Sequence, residues 1–294
     1  MLNAHLLKNW PLDDVRHTYT DRDTLLYALA IGYGSDPLDL RELPFVHEKE
    51  LVAAPTLSAV LAHPGPWVTD PRTGVDWLKL VHGEQKVVFH RPLPATGTVI
   101  GRSKVTRVTD KGVGKGAIYV QERTLIDAAT GELLATLEQV NFARGDGGYS
   151  ANGGEDGKQV SDDPPEAPHP LPARSVDRFH TTRSPANQAL LYRLCGDRHP
   201  IHSDPAVARK VGFDRPILHG LATYAMAGRA VLSTYCEHDP TRLRSLRARF
   251  SAPFYPGEAL RTELWKDGKT VSFRCSSVER GVVVLSNGCA ELSN

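Results

Sequence analysis

The sequence predicts an α+β protein made of two copies of one unit, each an antiparallel sheet wrapped round a helix. Three observations predict it: two short motifs recur in the same order, a loop-like stretch separates the copies, and each copy ends in strand-rich runs. Leu25-Leu26-Tyr27-Ala28-Leu29 is echoed by Leu190-Leu191-Tyr192-Arg193-Leu194, an offset of 165, and Phe89-His90-Arg91-Pro92 by Phe250-Ser251-Ala252-Pro253, an offset of 161. Either match alone is short enough for chance; two in order at nearly constant separation point to a tandem repeat.

In the first copy, the segment LVAAPTLSAVLAHPGPWV is apolar but interrupted by Pro55, Pro64 and Pro66, so it reads as a less regular helix than its later counterpart. After Pro92 come TVIGRSKVTRV, AIYVQERTLID and LLATLEQVNFA, β-rich runs around the DKGVGKG and AATGE turns. Residues 145–172 are dense in Gly, Pro, Asp and Ser, which gives a linker. The expected organisation is a first domain over 1–148, a linker over 149–173 and a second domain over 174–294. In the second copy Asp204 and Pro205 are an N-cap and first helical residue, with Gly212 as the stop. LHGLATYAMAGRAVLSTY follows, apolar at helical spacing and lined with small residues that suit close packing. The copy closes with LRTELWK, TVSFRCSSVE and VVVLSNGCAEL, separated by hairpin turns at Asp267-Gly268 and Arg280-Gly281.

Composition narrows the function. A net charge of +1 over 294 residues carries no electrostatic commitment to nucleic acid. The 40% hydrophobic and 23% charged fractions are those of a globular chain, not a disordered one. No stretch approaches the ~20 apolar residues of a membrane span, and the start turns polar before a signal-peptide core forms. The final ELSN is not a peroxisomal address of the SKL type. Cys195, Cys236, Cys275 and Cys289 have neither metal-site nor disulfide-framework spacing. A reducing, cytoplasmic location is the expectation.

The chemistry concentrates in YRLCGDRHPIHSDPAVARKVGFDRPILHG, residues 192–220. Asp197 and His202 are five apart, on different faces of any continuous helix, but Pro200 disfavours helix at His199 and lets them converge from a loop. An isolated Asp and His are ordinarily a turn residue and a surface ring. The context argues otherwise: Leu218-His219-Gly220 opens a long helix, where amides lack intrahelical acceptors and the dipole is positive. Gly220 there is either an oxyanion-binding amide open to close approach or merely a residue that avoids a clash. His199-x-x-His202 with Asp204 has metal-site spacing on paper, but Pro200 denies it a helical frame, and no metal is expected.

Gly196-Asp197-x-x-Pro200-Ile201-His202-x-Asp204-Pro205, followed by Pro216-Ile217-Leu218-His219-Gly220, resembles the hydratase 2 motif of the MaoC-like dehydratase family. TDRDTLLYALAIG, HGEQKVVFHRPLP, DKGVGKGAI and ARFSAPFYPGE extend the resemblance to its two-domain members. The resemblance implies a double hot dog fold, Asp197 and His202 as catalytic pair, the Gly220 amide on the thioester oxygen, and no cofactor. It implies reversible hydration of a trans-2-enoyl-CoA to an (R)-3-hydroxyacyl-CoA in fatty acyl metabolism, by a homodimer. The family usually has Asn where this chain has His199; an imidazole either keeps the orienting hydrogen bond or shifts the pH optimum.

Hydration needs water deprotonated at the β-carbon, a proton delivered to the α-carbon and the enolate oxygen stabilised between. His202 and Asp197 jointly hold water and proton, without a division of steps between them. At the repeat offset they correspond to Gly32 and Pro37, which transfer no protons, so the first half is expected to shape an acyl tunnel. His82-Gly83, seven residues before Phe89, falls at a strand start and is a false echo of His219-Gly220. For the CoA phosphates the candidates are Lys111, Lys115, Arg247 and Arg249. The rival functions are a dehydratase of polyketide, mycolate-like or sterol side-chain thioesters, a hot dog thioesterase, and a noncatalytic acyl-CoA binding protein.

Overall fold

The computed structural model describes residues 2–151 and 160–293. The helices are α1 (Ala4–Lys8), α2 (Asp21–Ala30), α3 (Leu43–Val46), α4 (Gln188–Tyr192), α5 (Pro205–Lys210) and α6 (Gly220–Tyr235). The first-half strands are β1 (Val15–Tyr19), β2 (Leu80–Phe89), β3 (Gly97–Asp110), β4 (Ala117–Asp127) and β5 (Leu133–Ala143). The second half repeats them as β6 (Arg178–Arg183), β7 (Leu243–Phe250), β8 (Ala259–Asp267), β9 (Thr270–Ser277) and β10 (Val282–Leu292).

All ten strands form one sheet in the order β1-β3-β4-β5-β2-β7-β10-β9-β8-β6. Outward from the β2–β7 seam each half gives the same order, and the seam is antiparallel, running from Glu84↔Arg249 to Val88↔Ser245. The repeat is therefore real and the fold is a double hot dog. Tyr27 of α2 and Tyr192 of α4, the echoed tyrosines, are buried against each other with ring centroids 5.9 Å apart.

The expected central helix exists in the second half only. α6 is buried from Ala222 to Leu232, and its Tyr224 hydroxyl donates to the Leu246 carbonyl at 2.8 Å. A Cβ on Gly228 would meet Leu246 Cδ2 at 3.0 Å and Thr56 Cγ2 at 3.1 Å, so the small residue is what admits β7 and the first half together. In the first half the corresponding segment gives a five-residue 3-10 helix, Pro55–Ala59. Ala62 has positive φ (48°), and Pro64, Gly65 and Pro66 prevent further helix. The chain is pressed onto β3 there, since a Cβ on Gly101 would lie 2.4 Å from the Ala62 carbonyl oxygen.

The stretch joining the halves is only partly loop-like. Gly147 packs so closely that a Cβ would sit 2.2 Å from the Gly112 carbonyl oxygen, and Tyr149 is buried with its hydroxyl donating to Val108 O at 2.9 Å. Beyond residues 152–159, which lie outside the described set, the chain crosses the sheet. Arg107 donates to the Asp163 and Pro164 carbonyls, Arg247 pairs with Glu166 at 3.1 Å, and Asn287 donates to His169 O. Among the described residues no helix is long and apolar enough to cross a membrane.

Candidate active site

The loop carrying Asp197 and His202 is built by short-range hydrogen bonds. Asp197 Oδ1 accepts from the His199 amide at 2.9 Å, and His199 Nδ1 accepts from the Ile201 amide at 3.3 Å. The 3-10 turn Pro200–His202 then carries His202 inward, and Asp204 caps α5 by accepting from the Ala206 and Val207 amides. His199 thus orients Asp197 through its backbone N–H; its ring, exposed, is occupied with its own turn. An Asn side chain makes the same kind of turn.

His202 is buried, and its Nδ1–H donates to the Ile217 carbonyl at 2.9 Å. That bond fixes the tautomer and leaves Nε2 with its lone pair, 3.8 Å from Asp197 Oδ2. The gap is too long for a direct hydrogen bond, and one water oxygen can reach both atoms. Burial holds the His202 ring below its ordinary pKa, with the Ile217 bond and Asp197 opposing, so it is neutral and basic near pH 7.

His219, whose function sequence reasoning did not identify, completes the arrangement. Its Nε2–H donates to the Asp197 backbone carbonyl at 3.0 Å, and its ring stacks on His202 with centroids 3.7 Å apart and planes inclined 24°. Tyr192 covers it from another side at 4.9 Å. Burial first, and then the neighbouring His202, push the His219 pKa down to about 4. Two imidazoles stacked this closely cannot both be cations, and it is His219 that burial and its neighbour hold neutral. Only the repeated Tyr in Leu-Leu-Tyr hinted at this packing.

Gly220 is the first residue of α6, where an N–H has no intrahelical acceptor. A Cβ there would meet Phe250 Cε1 at 3.1 Å and Cδ1 at 3.2 Å. Phe250 in turn meets the His82 ring edge-on at 4.8 Å. His82 and Gly83 lie near the start of β2, as a false echo requires, yet His82 walls the site from the first half. Gly32 and Pro37, the repeat counterparts of the catalytic pair, sit in the turns after α2.

The structure does not gather the four expected phosphate-binding cations. Arg247 and Arg249 alternate with Leu246, Ala248 and Phe250 and so point to the opposite face of the sheet. Arg247 is already paired there with Glu84 at 3.0 Å and with Glu166. Lys111 and Lys115 lie in the β3–β4 turn, Lys111 over the Phe142 ring at 4.9 Å.

Asp197, His202 and His219 place ligand-type atoms within 4.8 Å of one another. The two rings are nearly parallel, however, so their in-plane lone pairs do not converge, and one nitrogen of each is held by a carbonyl. That geometry suits a water between base and carboxylate better than a metal ion. Asp204 faces its own helix and belongs to no such set.

Residues 17–145 match the MFE-2 hydratase 2 N-terminal domain and residues 160–288 the MaoC like domain. The chain is 36% identical over 281 residues, 94% of each chain, to the enoyl-CoA hydratase ChsH3 of Mycobacterium tuberculosis. It is 35% identical, over 97% of its length and 94% of the relative's, to the peroxisomal enoyl-CoA hydratase 2 of Arabidopsis thaliana. A MaoC-like dehydratase from Phytophthora capsici superposes with a TM-score of 0.85 at 32% identity, covering 100% of this chain and 99% of that one. By its two matched domains and full-length relatives, the chain belongs to the two-domain, hydratase 2 type of the MaoC-like dehydratase family.

Proposed function

We propose that the protein catalyses the reversible hydration of a trans-2-enoyl-CoA to the (R)-3-hydroxyacyl-CoA. The observation that carries this is the His202 ring: Nδ1–H is tied to Ile217 O and Nε2 faces the Asp197 carboxylate across a water-sized gap. In the hydration direction, water held between these two groups loses a proton to one of them as its oxygen attacks the β-carbon. The thioester oxygen takes the developing negative charge at the Gly220 amide, on the positive end of α6. The α-carbon then receives a proton from the pair, which returns it to its starting state. Every atom of water ends in the product, and no electron leaves or enters, so no cofactor is part of the proposal.

The test is the loss of enoyl-thioester absorbance with crotonyl-CoA and a longer trans-2-enoyl-CoA, with product stereochemistry resolved. Wild type is expected to give the (R)-3-hydroxy product and Asp197→Asn to lose ~10²–10⁴-fold in kcat. Absence of turnover at every chain length in wild type would favour a carrier-protein thioester or a noncatalytic binding role. The dehydratase alternative is the same chemistry in reverse, and the equilibrium ratio from either side distinguishes no site. Free-thiol release would reveal a thioesterase. We further read the chain as a homodimer, which sedimentation tests. We place it in the cytoplasm, a location supported by four thiols that all remain free.

A further inference from the structure

A strip of the inner face of the first-half sheet is polar where a plain hydrocarbon chain would call for an apolar wall. Register places Gln85 beside Gln139 and Gln139 beside Gln121, across β2, β5 and β4. The flanking rows put His82 beside Asn141, and Arg123 between Leu137 and Ser103. Gln85, Gln121, Arg123 and Asn141 are all buried, at 4%, 7%, 6% and 2% exposure. The strip begins at the catalytic wall, because His82 packs on Phe250 and Phe250 on Gly220. It ends at Arg123 on β4, two strands away from β2, about 10 Å at normal strand spacing.

Several of these groups hold donors with nothing to donate to. Arg123 Nε, Asn141 Nδ2 and Ser103 Oγ are buried without a hydrogen-bond partner among the described residues. Arg123 gives one guanidinium nitrogen to the Ala59 carbonyl at 2.6 Å and to Ser58 O at 3.4 Å, which caps the 3-10 helix. Capping accounts for that nitrogen and leaves Nε unexplained. No carboxylate ion-pairs with Arg123 among the described residues, and burial alone lowers its pKa to about 10. A buried guanidinium without a counter-charge is costly, and in folded chains it ordinarily has an anionic partner.

We propose that the enoyl thioester accepted here bears a carboxylate on its acyl chain, received by Arg123 at the far end of this polar strip, whose near end is Asn141 beside His82. The inference rests on the hydratase reading for its chemistry and adds the substrate class. A donor-only set with one net positive charge matches an acceptor-only anion. The strip of amides lets the chain pass without desolvating them against hydrocarbon alone.

The experiment compares decenoyl-CoA with its ω-carboxy analogue, decenedioyl-CoA, both with the trans-enoyl double bond. Wild type is expected to favour the diacid in kcat/KM by at least about tenfold, the scale of one charge-assisted hydrogen bond. Arg123→Met is expected to lower the diacid-to-monoacid ratio by at least about tenfold, whereas Asn141→Leu, at the near end of the strip, leaves the ratio within about twofold. An unchanged ratio in Arg123→Met, or no wild-type preference for the diacid, overturns the proposal and leaves Arg123 as a helix cap. Should neither thioester turn over, the hydration reading fails on its own. The substrate class is then decided by calorimetric binding of the saturated pair, decanedioyl-CoA against decanoyl-CoA. Tighter binding of the diacid to wild type but not to Arg123→Met supports it; equal binding overturns it.

Discussion

The contact that most directly ties the halves together is the buried pair of Glu42 and Arg229, and its removal should be among the costliest single changes in the molecule. Arg229 lies in α6, 7% exposed, and Glu42 precedes α3 in the first half, 3% exposed. Arg229 Nε donates to Glu42 Oε1 at 2.7 Å and its terminal nitrogen approaches the same oxygen at 2.6 Å. The other carboxylate oxygen accepts from the Gly34 amide at 3.0 Å, and Tyr33 lies under the guanidinium at 5.2 Å. Glu42→Ala leaves the arginine buried with only the Thr182 and Ser35 hydroxyls as partners. Breaking one side of such a pair costs about 3–5 kcal/mol. With a urea slope of about 3 kcal/mol/M, the unfolding midpoint falls by roughly 1–2 M. The coupling is the sharper test: Glu42→Leu combined with Arg229→Met should be more stable than Glu42→Leu alone, since no uncompensated charge remains. A single-variant cost under about 1 kcal/mol, or simple additivity in the double variant, would refute the reasoning.

Three further outcomes follow from the site. Gly220→Ala should reduce kcat by about tenfold or more while stability moves by no more than about 1–2 kcal/mol, because the new methyl displaces Phe250 yet improves helix propensity; enzyme assays beside thermal melts decide it. Stability should decline as pH falls from about 6.5 toward 4. His219 has an ordinary value of 6.5 and a folded value of about 4, so the unfolded chain binds the extra proton in that window and the stabilisation is complete only above it. The slope is up to about 1.4 kcal/mol per pH unit for each such histidine; urea titrations showing no slope there would contradict the buried neutral ring. His199→Asn should leave kcat/KM within about twofold, since the backbone amide holds Asp197 and an Asn side chain closes the same turn, while the acid limb of the pH–rate profile moves slightly upward because the imidazole charge that lowers the His202 pKa is gone; a large loss of kcat/KM would show that the ring itself orients the pair.

Asp197, His202 and Gly220 were legible because they lie within 24 residues, and because Pro200, Asp204 and Pro205 dictate loop and helix start locally. The role of His219 was not, since it depends on a ring folding back from the next helix onto a backbone carbonyl. Charge alone singled out Arg247, and strand periodicity adds which way it faces. With Phe250 turned inward beside Gly220, the alternation of β7 sends Arg247 and Arg249 outward, and the pattern LRSLRARF already contained that signal. The polar strip could not be read at all. Its residues, 85, 121, 123, 139 and 141, come from three strands and meet only through their register.

The asymmetry between the halves has a common physical source. A second long helix would fill the first-half sheet as α6 fills its own; the prolines around Pro55 and Pro64 leave a thin cover of 3-10 turn instead. The inner face there carries amides and a cation among its core residues, covered by Trp67 and the Pro55–Ala59 turn. The same duplication places Tyr27 against Tyr192, Tyr192 against His219 and His219 against His202, a column of rings running from the first half to the base. Loss of the long helix in one copy and the ring column beneath His202 in the other are thus two outcomes of one duplicated unit.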